Sequence, residues 1–121
     1  MLYYYGLAVF SGIIIDVVTG VIFAILTKSL NSTKMRQGGL HKIAEVIAVI
    51  FSAYAERSMN MLEINVGFSI FKMVCTYLII MECISIIENL GKMNPNVFPK
   101  KISKFFEKIR KEIDEEWKFT I

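Results

Sequence analysis

Three ionisable residues sit inside long apolar runs of this sequence: Asp16, Lys72 and Glu82. A charge at the centre of a bilayer costs about 2.5 to 3.5 kcal/mol on insertion scales, so such residues face a partner helix or water, or take up a proton. The chemistry they suggest is ion pairing, self-association or a wet path. Catalysis is a poorer fit. The lone histidine, His41, lies in a basic segment and forms no cluster with which to hold a metal or activate a nucleophile. Cys75 and Cys83 are eight residues apart on one apolar run, roughly 12 Å along a helix, and cannot bridge. Gly38-Gly39 is far too little for a phosphate loop. No enzyme, cofactor or metal centre is expected.

Small residues surround the first of these charges in a regular pattern. Ala8, Gly12, Asp16, Gly20 and Ala24 follow at four-residue intervals, with Thr19 beside Gly20. On a helix this spacing makes one slowly winding stripe, and small residues there let a second helix approach closely. Ala44, Ala48 and Ser52 make a shorter stripe further on, and Glu82, Ser85 and Asn89 share a face of the third apolar run. The first two stripes are the expected helix-packing and oligomerisation faces. Asp16, Thr19, Lys72, Glu82, Ser85 and Asn89 are the candidates to line a polar path. Lys72 and Glu82 lie about 15 Å apart along one helix, too far to pair with each other.

The elements that must position these residues follow from composition. The chain has 121 residues, 55% of them hydrophobic and 21% charged, with a mean hydropathy of +0.51. A small soluble domain buries only about two thirds of its surface, so it could not hide this much apolar side chain. About 20 helical residues cross a hydrocarbon core of roughly 30 Å. Three spans are expected, over residues 2–26, 43–62 and 64–87, in a membrane domain of residues 1–90. The second has an uninterrupted apolar core of only Val46 to Ala55, so hydropathy alone leaves open a helix lying in the interface. Basic residues follow the first run instead of preceding it, unlike a cleaved signal peptide.

Charge placement decides the second span. Of the 14 Lys and Arg, four (Lys28, Lys34, Arg36, Lys42) fall after the first run and eight from Lys92 onward. Basic segments stay cytoplasmic, and three spans put both on that side, with the N-terminus outside and the C-terminus inside. Residues 91–121 read as a cytoplasmic tail. Its Pro95 and Pro99 turn the chain out of the membrane, and Ile102, Phe105, Phe106, Ile109, Ile113 and Trp117 recur at three- and four-residue spacing as the stripe of an amphipathic helix. Lys100, Lys101, Lys104, Phe105, Ile109 and Trp117 are candidates for lipid contact or regulation. A solvated helix packing on its neighbours accounts for the same pattern. The membrane boundary also explains the lysines without nucleic acid. The fold class is all-α: an integral membrane protein of three transmembrane helices plus an amphipathic C-terminal helix.

Two blocks resemble a known family. Asp16-Val-Val-Thr19-Gly20, then Ala24, Lys28, Leu30-Asn31-Ser32, the Gly38-Gly39 pair and Lys42, are similar to the signature block of the small phage-lysis and toxin-secretion holins. Glu82, Ser85-Ile-Ile-Glu88-Asn89, Gly91, the two prolines and the following lysines resemble that family's second block. Only fifteen residues precede Asp16, where similar proteins often have a longer apolar region.

The resemblance implies a protein of the bacterial inner membrane that contacts lipid and assembles with itself. At a set time the assembly opens a lesion for an endolysin or a large toxin. Two other classes fit the same residues. An antiholin or membrane anchor would recruit a partner through the tail helix. A small ion or solute transporter subunit would use Asp16 and Glu82 as carriers, but would need broken helices at the midplane.

Overall fold

The computed structural model describes residues 3–120, with side chains as far as Glu116. Four helices follow in order: α1 (Tyr3–Leu26), α2 (Ser32–Met61), α3 (Ile70–Met93) and α4 (Lys100–Thr120). There is no strand among the described residues. The chain is therefore all-α, and α1, α2 and α3 are each long and apolar enough to cross a membrane. At 1.5 Å per residue, α1 and α3 are about 36 Å long and α2 about 45 Å.

The helix ends explain where the spans differ from expectation. Asn31 caps α2, its side chain accepting from the Thr33 N–H at 2.8 Å. A capping side chain satisfies one of the orphan N–H groups of the first turn, and α2 accordingly starts at Ser32, well before residue 43. Lys34, Arg36 and Lys42, read from sequence as loop cations, lie on this helix, as does the Gly38-Gly39 pair. α1 and α2 both end in the same motif. The Ser29 N–H bonds to the Ala24 carbonyl and that of Lys28 to Ile25, with Lys28 at φ 54°. After α2, Ile64 bonds to Met59 and Glu63 to Asn60, with Glu63 at φ 59°. This is the Schellman arrangement, here with left-handed Lys and Glu where glycine is usual. Gly67, at φ 83°, turns the chain once more before Ser69 caps α3. The third helix thus begins at Ile70, not Ile64.

The core is small. Val9 and Ile13 of α1, Val49 of α2 and Phe71, Cys75 and Leu78 of α3 form one buried cluster. α1 packs mainly along α3, α2 also packs on α3, and α1 barely meets α2. The two cysteines are free, Cys75 buried and Cys83 half-buried. Ile14, Ile25, Ile43, Ile47, Ile50 and Phe51 point outward, where lipid tails can cover them without the penalty that water imposes. α4 rests on the last part of α3.

Candidate functional site

The polar residues of the three long helices converge on one cluster. Asp16 lies near the middle of α1, Glu82 near the middle of α3, and Lys42 reaches both from α2. The Lys42 Nζ donates to Asp16 Oδ2 at 2.5 Å and to both Glu82 oxygens at 2.8 Å. An ammonium has three N–H donors, and these contacts use all three. Glu45 Oε1, one turn along α2, is 3.7 Å from Nζ and takes instead a 2.9 Å contact from His41 Nε2. The side chains of Lys42, Asp16, Glu45 and Glu82 are 17%, 11%, 7% and 2% exposed. Charges this buried are tolerated only when paired and hydrogen-bonded.

A second layer completes the cluster on the α1 side. The Asn89 amide donates to Asp16 Oδ1 at 2.9 Å, to Thr19 Oγ1 at 3.0 Å and to the Asp16 carbonyl at 3.2 Å. Thr19 in turn donates back into its own helix, toward the Ile15 and Asp16 carbonyls at 2.9 and 3.0 Å. Asn89 thereby fixes one Asp16 oxygen while Lys42 holds the other.

The small residues make this geometry reachable. A Cβ on Gly12 would stand 3.1 Å from the Glu82 Cβ, and one on Gly20 would stand 3.5 Å from Asn89 Nδ2. α1 therefore runs close to α3 beside Glu82 and Asn89, the second of which it bonds to directly. Two residues of the stripe, Gly12 and Gly20, thus meet α3 of the same chain. Ala24 is half-buried but Ala8 is exposed, because a four-residue repeat drifts about 40° per step on a helix. On α2, Ser52 is buried with its hydroxyl on the Val49 carbonyl, Ala48 is half-buried and Ala44 exposed.

Other candidates lie outside the cluster. Lys72 sits in the first turn of α3, exposed, with Nζ 5.9 Å from the centre of the Tyr5 ring. It is at the end of the span, not deep within it, because α3 starts later than hydropathy suggested. Ser85 is half-buried and takes no part in the network among the described residues. In the tail Lys100, Lys101, Lys104 and Phe105 are exposed, Ile109 is half-buried, and the Trp117 side chain lies outside the described set. Arg110 pairs with Glu88 and ties α4 to α3.

Lys42 and Glu45 were missed as site residues. Asn31 is the available signal for Lys42, since a cap there starts the helix well before it. So is the need of two buried acids for a cation. No group of three or more His, Cys, Asp or Glu among the described residues could hold a metal ion. The arrangement is chemically a neutralising hub: it lets acidic residues of two helices sit at membrane depth by sharing one cation from a third.

Comparison with known proteins agrees with this architecture. The profile of the bacteriophage holin family matches residues 3–111, from the start of α1 into α4. No curated protein and no solved structure matches significantly. The chain, with three membrane-length helices and a match over most of its length, belongs to the bacteriophage holin family.

Proposed function

We propose that this protein assembles in the bacterial inner membrane into a lesion that lets an endolysin, or a large toxin, leave the cytoplasm. The observation that carries the proposal is the Asp16–Lys42–Glu82 hub. The Asp16 and Glu82 carboxylates are both held by Lys42 inside one chain, so the protein can accumulate without opening the bilayer. Those same groups can exchange their partners for water once neighbouring copies separate α1 from α3. A packed interface of this kind has discrete arrangements, not a continuum, which suits abrupt opening.

The basic end of α2 and the basic tail lie on the cytoplasmic side in this proposal, with the N-terminus outside, following the positive-inside preference. Gly12, Gly20, Ala24 and Ser52 govern how closely the helices pack. Asp16, Thr19, Glu82 and Asn89 become lumen-facing on assembly. α4, held by the Arg110–Glu88 pair, tunes the onset through contacts with α3 or anionic lipid. No catalytic step is involved.

The test is induced expression in a bacterium with and without a cytoplasmic endolysin, following membrane potential and culture density. Abrupt depolarisation with endolysin-dependent lysis is expected. Stable potential and normal growth at high membrane levels would overturn the proposal.

A further inference from the structure

The hub is neutralised by Lys42 only in part. Three carboxyl groups meet there, Asp16 from α1, Glu45 from α2 and Glu82 from α3, against the one ammonium of Lys42. Counting His41, also from α2, as a cation still leaves three negative charges against two positive. No other cation pairs with these three acids among the described residues: Arg110 of α4 is on Glu88, Lys92 lies over Phe23, and Lys72 over Tyr5. A carboxylate left unmatched in so buried a site is disfavoured and takes up a proton instead.

A second observation says where the neutralising group belongs. Glu45 Oε2 is buried and has no hydrogen-bond partner, on a side chain that is only 7% exposed. It is an acceptor with no donor. Glu45 Oε1 and both Glu82 oxygens gather around the same Lys42 Nζ, at 3.7 and 2.8 Å, and two carboxylates crowded together at a site of low dielectric hold a proton between them.

We propose that the hub is a proton-binding site, in which Glu45 and Glu82 share one proton delivered through His41. The bound proton turns one carboxylate oxygen of the pair into a hydroxyl that donates to the other carboxylate, which supplies the missing partner. The bound proton also lowers the excess of negative charge in the hub by one. The route is given by His41 itself: its Nε2 touches Glu45 Oε1 at 2.9 Å while 72% of its side chain is exposed. An imidazole can accept a proton on one nitrogen and release the other. Loss of the shared proton leaves excess negative charge between α1 and α3, so the closed bundle loosens as pH rises. The proposal does not depend on lesion formation.

Infrared spectroscopy of the full-length protein in phosphatidylglycerol–phosphatidylcholine vesicles tests it. At neutral pH the wild type should show the carbonyl stretch of a protonated carboxylic acid, with the downshift expected on exchange into heavy water. Glu45→Gln, which imitates the occupied site in shape and neutrality, should abolish that band while helix content and membrane insertion stay unchanged. Glu88→Gln should leave it intact. His41→Ala should keep the band and slow its deuterium exchange several-fold. Absence of the band in the wild type, or its persistence in Glu45→Gln, would overturn the site. Exchange at the wild-type rate in His41→Ala would overturn the route.

Discussion

The ammonium of Lys42 stands 2.8 Å from each carboxylate oxygen of Glu82, a symmetric contact between α2 and α3 that also bridges to α1 through Asp16. Removing one partner of a buried ion pair is far more damaging than replacing both, because the survivor is left uncompensated; the loss is about 3 to 5 kcal/mol. Lys42→Met should destabilise the protein by about that amount in thermal unfolding in lipid bicelles, and Lys42→Met combined with Glu82→Gln should recover part of it.

Gly12 predicts a position-specific packing effect. A methyl group there meets the Glu82 Cβ at 3.1 Å, whereas one on Gly6 meets nothing within 4 Å. Gly12→Leu should therefore destabilise by about 1 to 3 kcal/mol, the usual range for overpacking, and Gly6→Leu should not. Unfolding midpoints of the two variants, measured with insertion confirmed by alkaline extraction, check this.

Asn89 holds Asp16 and Thr19 through its amide N–H groups. Interhelical hydrogen bonds in membranes are worth about 0.6 to 1.7 kcal/mol, so Asn89→Leu should cost about that. Asn89→Asp should be worse, since it sets a carboxylate against the Asp16 carboxylate. An inverted order in bicelle unfolding would show that Asn89 does not act as the donor.

The Arg110–Glu88 pair makes a contrasting case. Both side chains are nearly half exposed, 46% and 45%, and such pairs contribute about 0 to 1 kcal/mol. Arg110→Ala should leave the unfolding midpoint unchanged within that range but speed limited proteolysis between α3 and α4.

Much of this was legible in the sequence. Asp16, Glu82 and Asn89 stand out because polar side chains inside apolar runs need partners, and Gly12 and Gly20 because small residues four or eight apart mark close approach. What hydropathy could not supply was the start of α2. Basic residues at the head of a span read as loop, which sets Lys42 at the boundary, whereas Asn31 starts the helix eleven residues before it. The same blindness moved Lys72 inward, since residues 64–69 are apolar enough to extend a span but are broken by left-handed Glu63 and by Gly67. Partner choice was also hidden: a small-residue stripe says that some helix comes close, and only tertiary structure says that it is α3.

The most direct test of the hub as the device that governs opening is a double-mutant cycle on the timing of endolysin-dependent lysis. Lys42→Met, Glu82→Gln and their combination would be compared with wild type at matched membrane levels. Each single change should shift the onset strongly, and the double variant should return part of the way toward the wild-type time, because Glu82 no longer leaves a bare carboxylate while Asp16 still lacks its cation. Shifts that simply add, or single variants that lyse on the wild-type schedule, would contradict it.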